Sequence, residues 1–178
     1  TLEYSPSQGL RSLRDKLVGY YSRFGINVTD NEIIVTTGGS EALLLTFLTC
    51  LNPGDEIIMT EPGYANYISF AVTAGITVKT VTSRIEEGFA LPSVEDFEKA
   101  ITEKTKAILI CNPNNPTGGI MERADLEALA EVLKDTDILV ISDEIYSELT
   151  YGGRKHVSFA SIPGMFERTI SCSSLSKT

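Results

Sequence analysis

The sequence has few of the residues from which two common kinds of catalytic site are built. It contains one histidine, His156, and three cysteines, none of which forms a CxxC pair. A Ser-His-Asp triad and a metal site therefore have little support, and we expect no bound metal. His156 follows the loop sequence GGRK, where a role at the protein surface is expected rather than one in catalysis. Cys50, Cys111 and Cys172 lie in apolar runs and are expected to be free thiols of a reducing compartment.

Basic residues are in the minority, and long apolar runs are missing. Lys and Arg total 15 against 24 for Asp and Glu, so the net charge is −9, which favours solubility and argues against a nucleic-acid partner. The longest uncharged apolar stretch, ALLLTFLTCLNPG, is too short to span a bilayer, so no membrane association is expected. The first residues show neither the basic nor the hydrophobic part of a signal peptide, and the cytoplasm is the expected compartment.

The sequence does contain a regular alternation of amphipathic stretches and short apolar runs. The spacing of apolar residues predicts helices over residues 9–25, 37–51, 63–75, 92–102 and 123–134. Short apolar or β-branched runs predict strands over residues 32–36, 56–60, 77–81, 106–111, 137–142 and 168–173. Ser93, three residues before Asp96, is expected to cap the fourth helix.

The alternation of elements also predicts the fold class. Runs such as AILI and ILVI lack a period of two, so both faces of their strands are expected to be covered. The predicted class is α/β, with a mainly parallel sheet flanked by helices on both faces. We expect a leading helical segment over residues 1–25 and one α/β domain over residues 26–178.

Turn-forming and polar residues follow several of the predicted strands, where ligands bind in open α/β sheets. In TTGGSEA, Gly38 and Gly39 allow main-chain N–H groups to point into one cavity at a helix start, which favours an anion such as phosphate. A glycine-eased tight turn explains the same pattern. In NPNNPTGG, Asn115 offers an amide on a rigid loop, although a stiff surface loop has the same composition.

Two later segments carry an acid, a phenol and an amine. Asp143 follows a fully apolar strand, where a carboxylate needs a cationic partner such as a positive ring nitrogen; the alternative is an N-cap for a short helix from Glu144. Tyr146 offers a phenol on the same side if the segment turns helically. Lys177, in SSLSKT, offers an amine that can condense with an aldehyde, and the alternative is a solvated lysine in a polar tail.

In this order, NPNNPTG, SDEIY and SLSK resemble the class I/II aminotransferases, fold type I enzymes that use pyridoxal 5′-phosphate (PLP). The resemblance runs from YSPSQGLRSLR to SLSKT and is strongest to the bacterial aspartate-aminotransferase-like branch. It implies that residues 26–178 form part of the PLP-binding large domain and that the C-terminal small domain is absent. Two arginines of the family, for phosphate and for substrate carboxylate, are expected past Thr178, so this stretch alone is expected to bind PLP poorly and not to turn over.

The resemblance implies roles around the reactive part of the cofactor. Lys177 corresponds to the lysine that bonds to the PLP aldehyde and then moves protons between substrate and cofactor. Asp143 corresponds to the acid that pairs with the ring nitrogen and keeps the ring an electron sink. Tyr146 and Asn115 correspond to groups that hydrogen-bond the phenolic oxygen of the ring, and Tyr64 to an aromatic residue that stacks on its face.

The resemblance also implies a phosphate site and a dimer. Gly39, Ser40 and Glu41 correspond to the phosphate-binding helix start, and Ser174 to a further phosphate ligand. Tyr4 corresponds to a tyrosine that reaches the phosphate of the neighbouring subunit. The expected working unit is a homodimer with shared active sites.

The activity implied by the resemblance is transamination, in which an amino acid, with aspartate as a candidate, passes its amino group to a 2-oxo acid in a ping-pong cycle. Other PLP chemistries remain open, namely a C–S lyase, an aminocyclopropane-carboxylate synthase or an acyl-CoA-condensing enzyme. A further alternative is an aminotransferase-like sensor domain of a transcription regulator. A plain nucleotide-binding α/β domain is the most distant alternative.

Overall fold

The strands of the chain form one parallel sheet in a computed structural model, which describes residues 3–177. Their bounds are Glu56–Glu61 (β1), Thr77–Thr82 (β2), Thr105–Cys111 (β3), Leu139–Asp143 (β4) and Thr169–Cys172 (β5). The order across the sheet is β2-β1-β3-β4-β5, and every neighbouring pair is parallel. This confirms the predicted fold class, and the strands lie within two residues of their predicted bounds.

Five α-helices connect or precede the strands. Their bounds are Arg11–Ser22 (α1), Gly39–Cys50 (α2), Asn66–Ala74 (α3), Val94–Ala100 (α4) and Arg123–Leu133 (α5). Ser93 accepts the N–H of Asp96 at the start of α4, as predicted, and Gly75 ends α3 with φ 72°, a left-handed conformation that favours glycine. Among residues 3–177, no helix has the length and hydrophobicity needed to cross a membrane.

The core consists of two layers, one on each face of the sheet. On one face, α4 and α5 bury Phe97 and Leu129 against Ile108 of β3. On the other face, α2 and α3 bury Phe47 among residues that include Leu109, which follows Ile108 in β3. Successive residues of a strand point to opposite faces, so an all-apolar strand results when both faces are covered.

The predicted strand over residues 32–36 is wrong. The structure has a 3₁₀ turn over Asp30–Glu32, followed by extended backbone that belongs to no sheet. In this segment the N–H of Val35 donates to the Gln8 carbonyl at 2.9 Å, but a groove of about 740 Å³ separates the segment from β5. A strand requires a ladder with a neighbour, and the described residues supply none here.

The leading helix is tied to the rest of the chain by a buried arginine. Arg14 of α1 is 7% exposed and donates to the carbonyl of Gly9 at 3.2 Å and to both the carbonyl and the carboxylate of Asp30. Arg11, by contrast, is exposed and lies 3.7 Å from the same carboxylate. The division into a segment over 1–25 and a domain over 26–178 stays a prediction, and residues 1, 2 and 178 lie outside the described ones.

Candidate active site

A cavity of about 720 Å³ lies at the carboxyl ends of the strands, where the polar motifs were predicted to meet. It brings together most of the predicted site residues. They are Gly39, Ser40, Glu41, Tyr64, Asn115, Asp143, Tyr146, Ser174 and Lys177. The structure does not bring Tyr4 to the cavity, since its side chain is fully exposed and lies outside the lining.

Asp143 is a buried acid with hydrogen bonds but no cation. It ends β4 and is 5% exposed. Its Oδ2 accepts the hydroxyl of Tyr67 at 2.6 Å, and its Oδ1 accepts the N–H of Ile145 at 3.2 Å. Burial raises the pKa of the Asp143 carboxyl, and the charge of Glu144 raises it further, whereas the two donors lower it. Among residues 3–177 no cationic side chain lies within ion-pair distance, so the carboxylate is suited to receive one from a ligand.

The helix N-cap that was the alternative role for Asp143 is present only in part. The contact from Oδ1 to the Ile145 N–H is of the capping kind, but residues 145–148 form a turn rather than a helix. The same turn brings Tyr146, which is half-buried, to the cavity. One carboxylate therefore fixes the turn with one oxygen and meets Tyr67 with the other.

Tyr67 is a site residue that the sequence analysis missed. It lies on α3, is 2% exposed and lines the cavity. Its ring packs edge-on against Tyr64, with ring centroids 5.4 Å apart. Burial raises the pKa of its phenol, so it remains a neutral donor to Asp143. The signal in the sequence is the spacing of the two tyrosines in YANY, three residues apart within the predicted helix over 63–75, which places both side chains on one side.

The start of α2 forms the candidate anion site. Gly38 precedes the 12-residue helix, and Gly39 is buried so closely that a Cβ there would meet Ile145 Cδ1 at 3.2 Å. The positive end of the helix and its unpaired N–H groups face the cavity. The carboxylate of Glu41 accepts the N–H of Thr37, which lowers the pKa of this carboxyl. Glu41 would therefore meet a phosphate through its main-chain N–H and not through its side chain.

Lys177 and Ser174 follow β5 directly. Residues 175–177 form a 3₁₀ turn. Just before it, the hydroxyl of Ser174 lies 2.8 Å from the hydroxyl of Ser176 and accepts the main-chain N–H of Ser176 at 3.1 Å. Lys177 is exposed but lines the cavity, as does Ser176, which was not predicted. No carboxylate among residues 3–177 forms an ion pair with Lys177. The amine and the acid of the prediction thus share one cavity.

The expectation that His156 has a surface role is wrong. Its side chain is 2% exposed, and its Nε2 lies 3.2 Å from Oε2 of Glu144. The ring of Phe24 packs edge-on against it at 5.7 Å between centroids. The loop after GGRK folds inwards because the imidazole has a buried carboxylate to bond. His156 does not line the cavity, so it is not placed to touch a ligand there.

The cysteines are free thiols, as expected. Cys111 and Cys172 are buried beside Asp143, and burial is the main cause that raises the pKa of each thiol to about 12. Cys50 is half-buried. At neutral pH the two buried thiols stay protonated, which suits packing rather than nucleophilic chemistry.

Comparison with known proteins gives a consistent result. Aspartate aminotransferase of Bacillus subtilis is 40% identical over 178 residues, which are 99% of this chain and 45% of that protein. Arginine–pyruvate transaminase AruH of Pseudomonas aeruginosa is 40% identical over 176 residues, 98% of this chain and 44% of that protein. Among solved structures, a tetra mutant of Thermus thermophilus aspartate aminotransferase superimposes with a TM-score of 0.90 at 40% identity, over 96% of this chain and 46% of that one.

The chain thus spans about 45% of the length of these curated relatives. The family described as aminotransferase class I and II matches residues 1–178. Because this match runs along the whole sequence, the chain belongs to the aminotransferase class I and II family.

Proposed function

We propose that the full-length protein is a PLP-dependent aminotransferase, which moves an amino group from an amino acid to a 2-oxo acid in a ping-pong cycle. The observation that carries this proposal is the placement of Asp143 and Lys177 in one cavity. A buried carboxylate without a cation is a poor arrangement for stability alone, and the exposed amine of Lys177 lines the same cavity. They suit a ligand that has a cationic ring nitrogen and an aldehyde.

The residues of the cavity fit the chemical groups of PLP. Asp143 is buried and lacks a cation among the described residues, as a partner for the ring nitrogen requires. The start of α2 at Gly39 offers N–H groups to a phosphate, and the absence of a Cβ there leaves room beside Ile145. Tyr64 lines the same cavity and has an aromatic face for the ring.

Each side chain would have a defined task in this reaction. Lys177 would hold the aldehyde carbon and, once released by the substrate, accept and return a proton at the substrate α-carbon. Asp143 would keep the ring nitrogen protonated. Tyr146 and Asn115 would orient the ring through its phenolic oxygen. When bound, PLP supplies the electron sink that stabilises the carbanion of the substrate.

The donor is the least constrained part of the proposal. Relatives at the same 40% identity are named for aspartate and for arginine with pyruvate. We propose aspartate as the first donor to test, with 2-oxoglutarate as the acceptor. Lys177 is the single cationic residue in the described lining of the cavity, so that lining contains no arginine to clamp the substrate carboxylate.

We also propose a cytoplasmic homodimer with shared sites. Tyr4 is fully exposed and is not part of its own cavity lining, which suits a contact with a neighbouring subunit. The outer faces of α2 and α3 expose large apolar side chains, namely Leu45, Leu48, Ile68 and Val72. Faces of this kind are commonly covered in oligomers. The free thiols suit a reducing compartment.

The experiment is borohydride reduction of the full-length protein with PLP, followed by peptide mapping and an assay for glutamate from aspartate and 2-oxoglutarate. We expect the label on Lys177, its loss in Lys177→Ala, and no change in Lys155→Ala, a control in an exposed loop. A label on another lysine, or no visible absorbance with PLP, would refute the proposal. Cofactor binding and consumption of an amino acid without a 2-oxo acid acceptor would instead indicate a lyase.

A further inference from the structure

Glu144 is a second buried carboxylate directly behind the site. It follows Asp143 in sequence and is 4% exposed, but it does not line the cavity. Successive residues at a strand end point to opposite sides, so the two acids stand back to back. Such a pair of neighbouring buried acids is unfavourable unless each has its own partners.

The partners of Glu144 are all neutral donors or an imidazole. Its Oε1 accepts the hydroxyls of Ser142 at 2.8 Å, Ser158 at 2.7 Å and Ser171 at 3.4 Å. Its Oε2 meets the Nε2 of His156 at 3.2 Å. Among residues 3–177 no lysine or arginine forms an ion pair with it. These contacts solvate an anion without neutralising it by a permanent cation.

The orphan nitrogen of His156 favours a neutral ring. Its Nδ1 is buried and has no hydrogen-bond partner among the described residues. A second N–H at that atom would be buried without an acceptor, which is unfavourable, whereas an unpaired lone pair is tolerated more easily. The arrangement that satisfies the contacts is a neutral imidazole whose Nε2–H donates to a carboxylate. In this arrangement Glu144 accepts a hydrogen bond from each of its four side-chain partners, as a carboxylate does.

The charge of the Glu144 carboxylate acts on the groups around it. Burial is the largest cause that raises the pKa of the Tyr21 phenol to about 12, and the charge of Glu144 is the second. The same charge contributes to the raised pKa of Cys172 and of Asp143. In the protein without a ligand, Glu144 thus makes it harder to ionise Asp143. The same charge attracts a cation placed on the far side of Asp143.

We propose that Glu144 strengthens the binding of a cationic ring nitrogen at Asp143, and that His156 keeps Glu144 charged by donating to it. Both are positioning residues, since neither touches the cavity. The inference rests on the proposed function, because it assigns the cationic ligand to PLP. It predicts that the site discriminates between a protonated heterocycle and a neutral ring of the same shape.

The test compares PLP with its analogue in which the ring nitrogen is replaced by a C–H group. Dissociation constants for both are measured with the cofactor-free, full-length protein at one pH. Glu144→Gln is expected to reduce the preference for PLP over the analogue by about tenfold. This is the effect expected from a carboxylate charge about 10 Å from the ring cation at an effective dielectric constant of about 20. Binding of the analogue should change little. A purely structural role would weaken both ligands equally and would overturn the inference.

Further variants keep the result interpretable. Glu148→Gln removes a partly exposed carboxylate of the same segment, which accepts the Tyr20 hydroxyl at 2.9 Å, and should leave the preference unchanged. His156→Leu should lower the preference, and His156→Gln, which keeps an N–H donor, should restore most of it. If the parent protein binds PLP with a preference that Glu144→Gln and His156→Leu leave intact, this inference alone fails. If the parent protein does not bind PLP, the proposed function fails as well.

Discussion

The hydrogen bond from Tyr67 to Asp143 offers a sharp test of how the acid of the site is controlled. Tyr67→Phe removes only the hydroxyl that donates to Oδ2 at 2.6 Å and keeps the buried ring. That donor lowers the pKa of Asp143 against the stronger effect of burial. Without it, the carboxyl takes up a proton at higher pH and can no longer hold a ring cation there.

The expected size follows from the kind of bond. A hydrogen bond to a charged group contributes about 1.5–3 kcal/mol, of which the lower value corresponds to a factor of about ten in an equilibrium constant. On the acidic side of the binding profile, the variant should therefore bind PLP about tenfold more weakly than the parent protein. At high pH, where Asp143 is ionised in both proteins, the affinities should converge.

The assay is the dissociation constant of PLP against pH for the full-length protein. Tyr64→Phe is the matched control, since it removes a phenol of the same cavity that accepts from Asn66 Nδ2 at 2.7 Å and makes no bond to Asp143. The plot of the PLP dissociation constant against pH for Tyr64→Phe should have the same midpoint pH as that for the parent protein. Parallel curves for Tyr67→Phe, displaced by the same factor at every pH, would show that the hydroxyl acts on packing and not on ionisation.

Two further changes test the energetics of buried charges. Because the folded-state pKa of Asp143 is raised, its contribution to stability is fully present below the unfolded-state value and is lost as pH rises through the folded-state value. Asp143→Asn should therefore raise the melting temperature of the cofactor-free protein at neutral pH, and an unchanged melting temperature would contradict this. The same variant should weaken PLP binding by about a hundredfold or more, as for a broken buried ion pair. Arg14→Met should lower the free energy of unfolding in urea by about 3 kcal/mol, because it leaves the carbonyls of Gly9 and Asp30 without this donor and the Asp30 carboxylate with only the exposed Arg11. Arg11→Met, at an exposed pair, should change it by less than about 1 kcal/mol. Equal effects of the two arginine variants would argue against a buried role for Arg14.

The elements that the sequence predicted well are those whose pattern is local. The apolar run of β3 identified a strand covered on both faces, and Ile108 and Leu109 do point into different core layers. Asp143 was singled out because it follows such a strand, and parallel strands bring their carboxyl ends together. The role of Lys177 came from the family resemblance. Placement after strands thus pointed to Gly39, Asn115 and Asp143, whereas Ser40, Glu41, Tyr64 and Ser174 came from the family resemblance.

The misses depend on contacts between distant segments. Tyr67 has the spacing of a core residue on a helix, and only its bond to Asp143, 76 residues later, makes it part of the site. His156 follows a loop rich in glycine and charge, yet Glu144 draws it into the interior. The strand predicted over 32–36 has the right composition, but a strand also needs a neighbour, and pairing is not a property of the segment itself.

The charges that line the cavity limit which ligands it is suited to hold. The lining includes the positive start of α2 and Asp143, and Glu144 lies behind Asp143. Under the proposed function, a ligand with an anionic group and a cationic group matches both features, and Lys177 lines the same cavity. A nucleotide matches the first feature but has no cation for the buried acid at neutral pH. The buried acids disfavour it, because a neutral ring would leave the desolvated Asp143 with its two hydrogen-bond donors but without a cation.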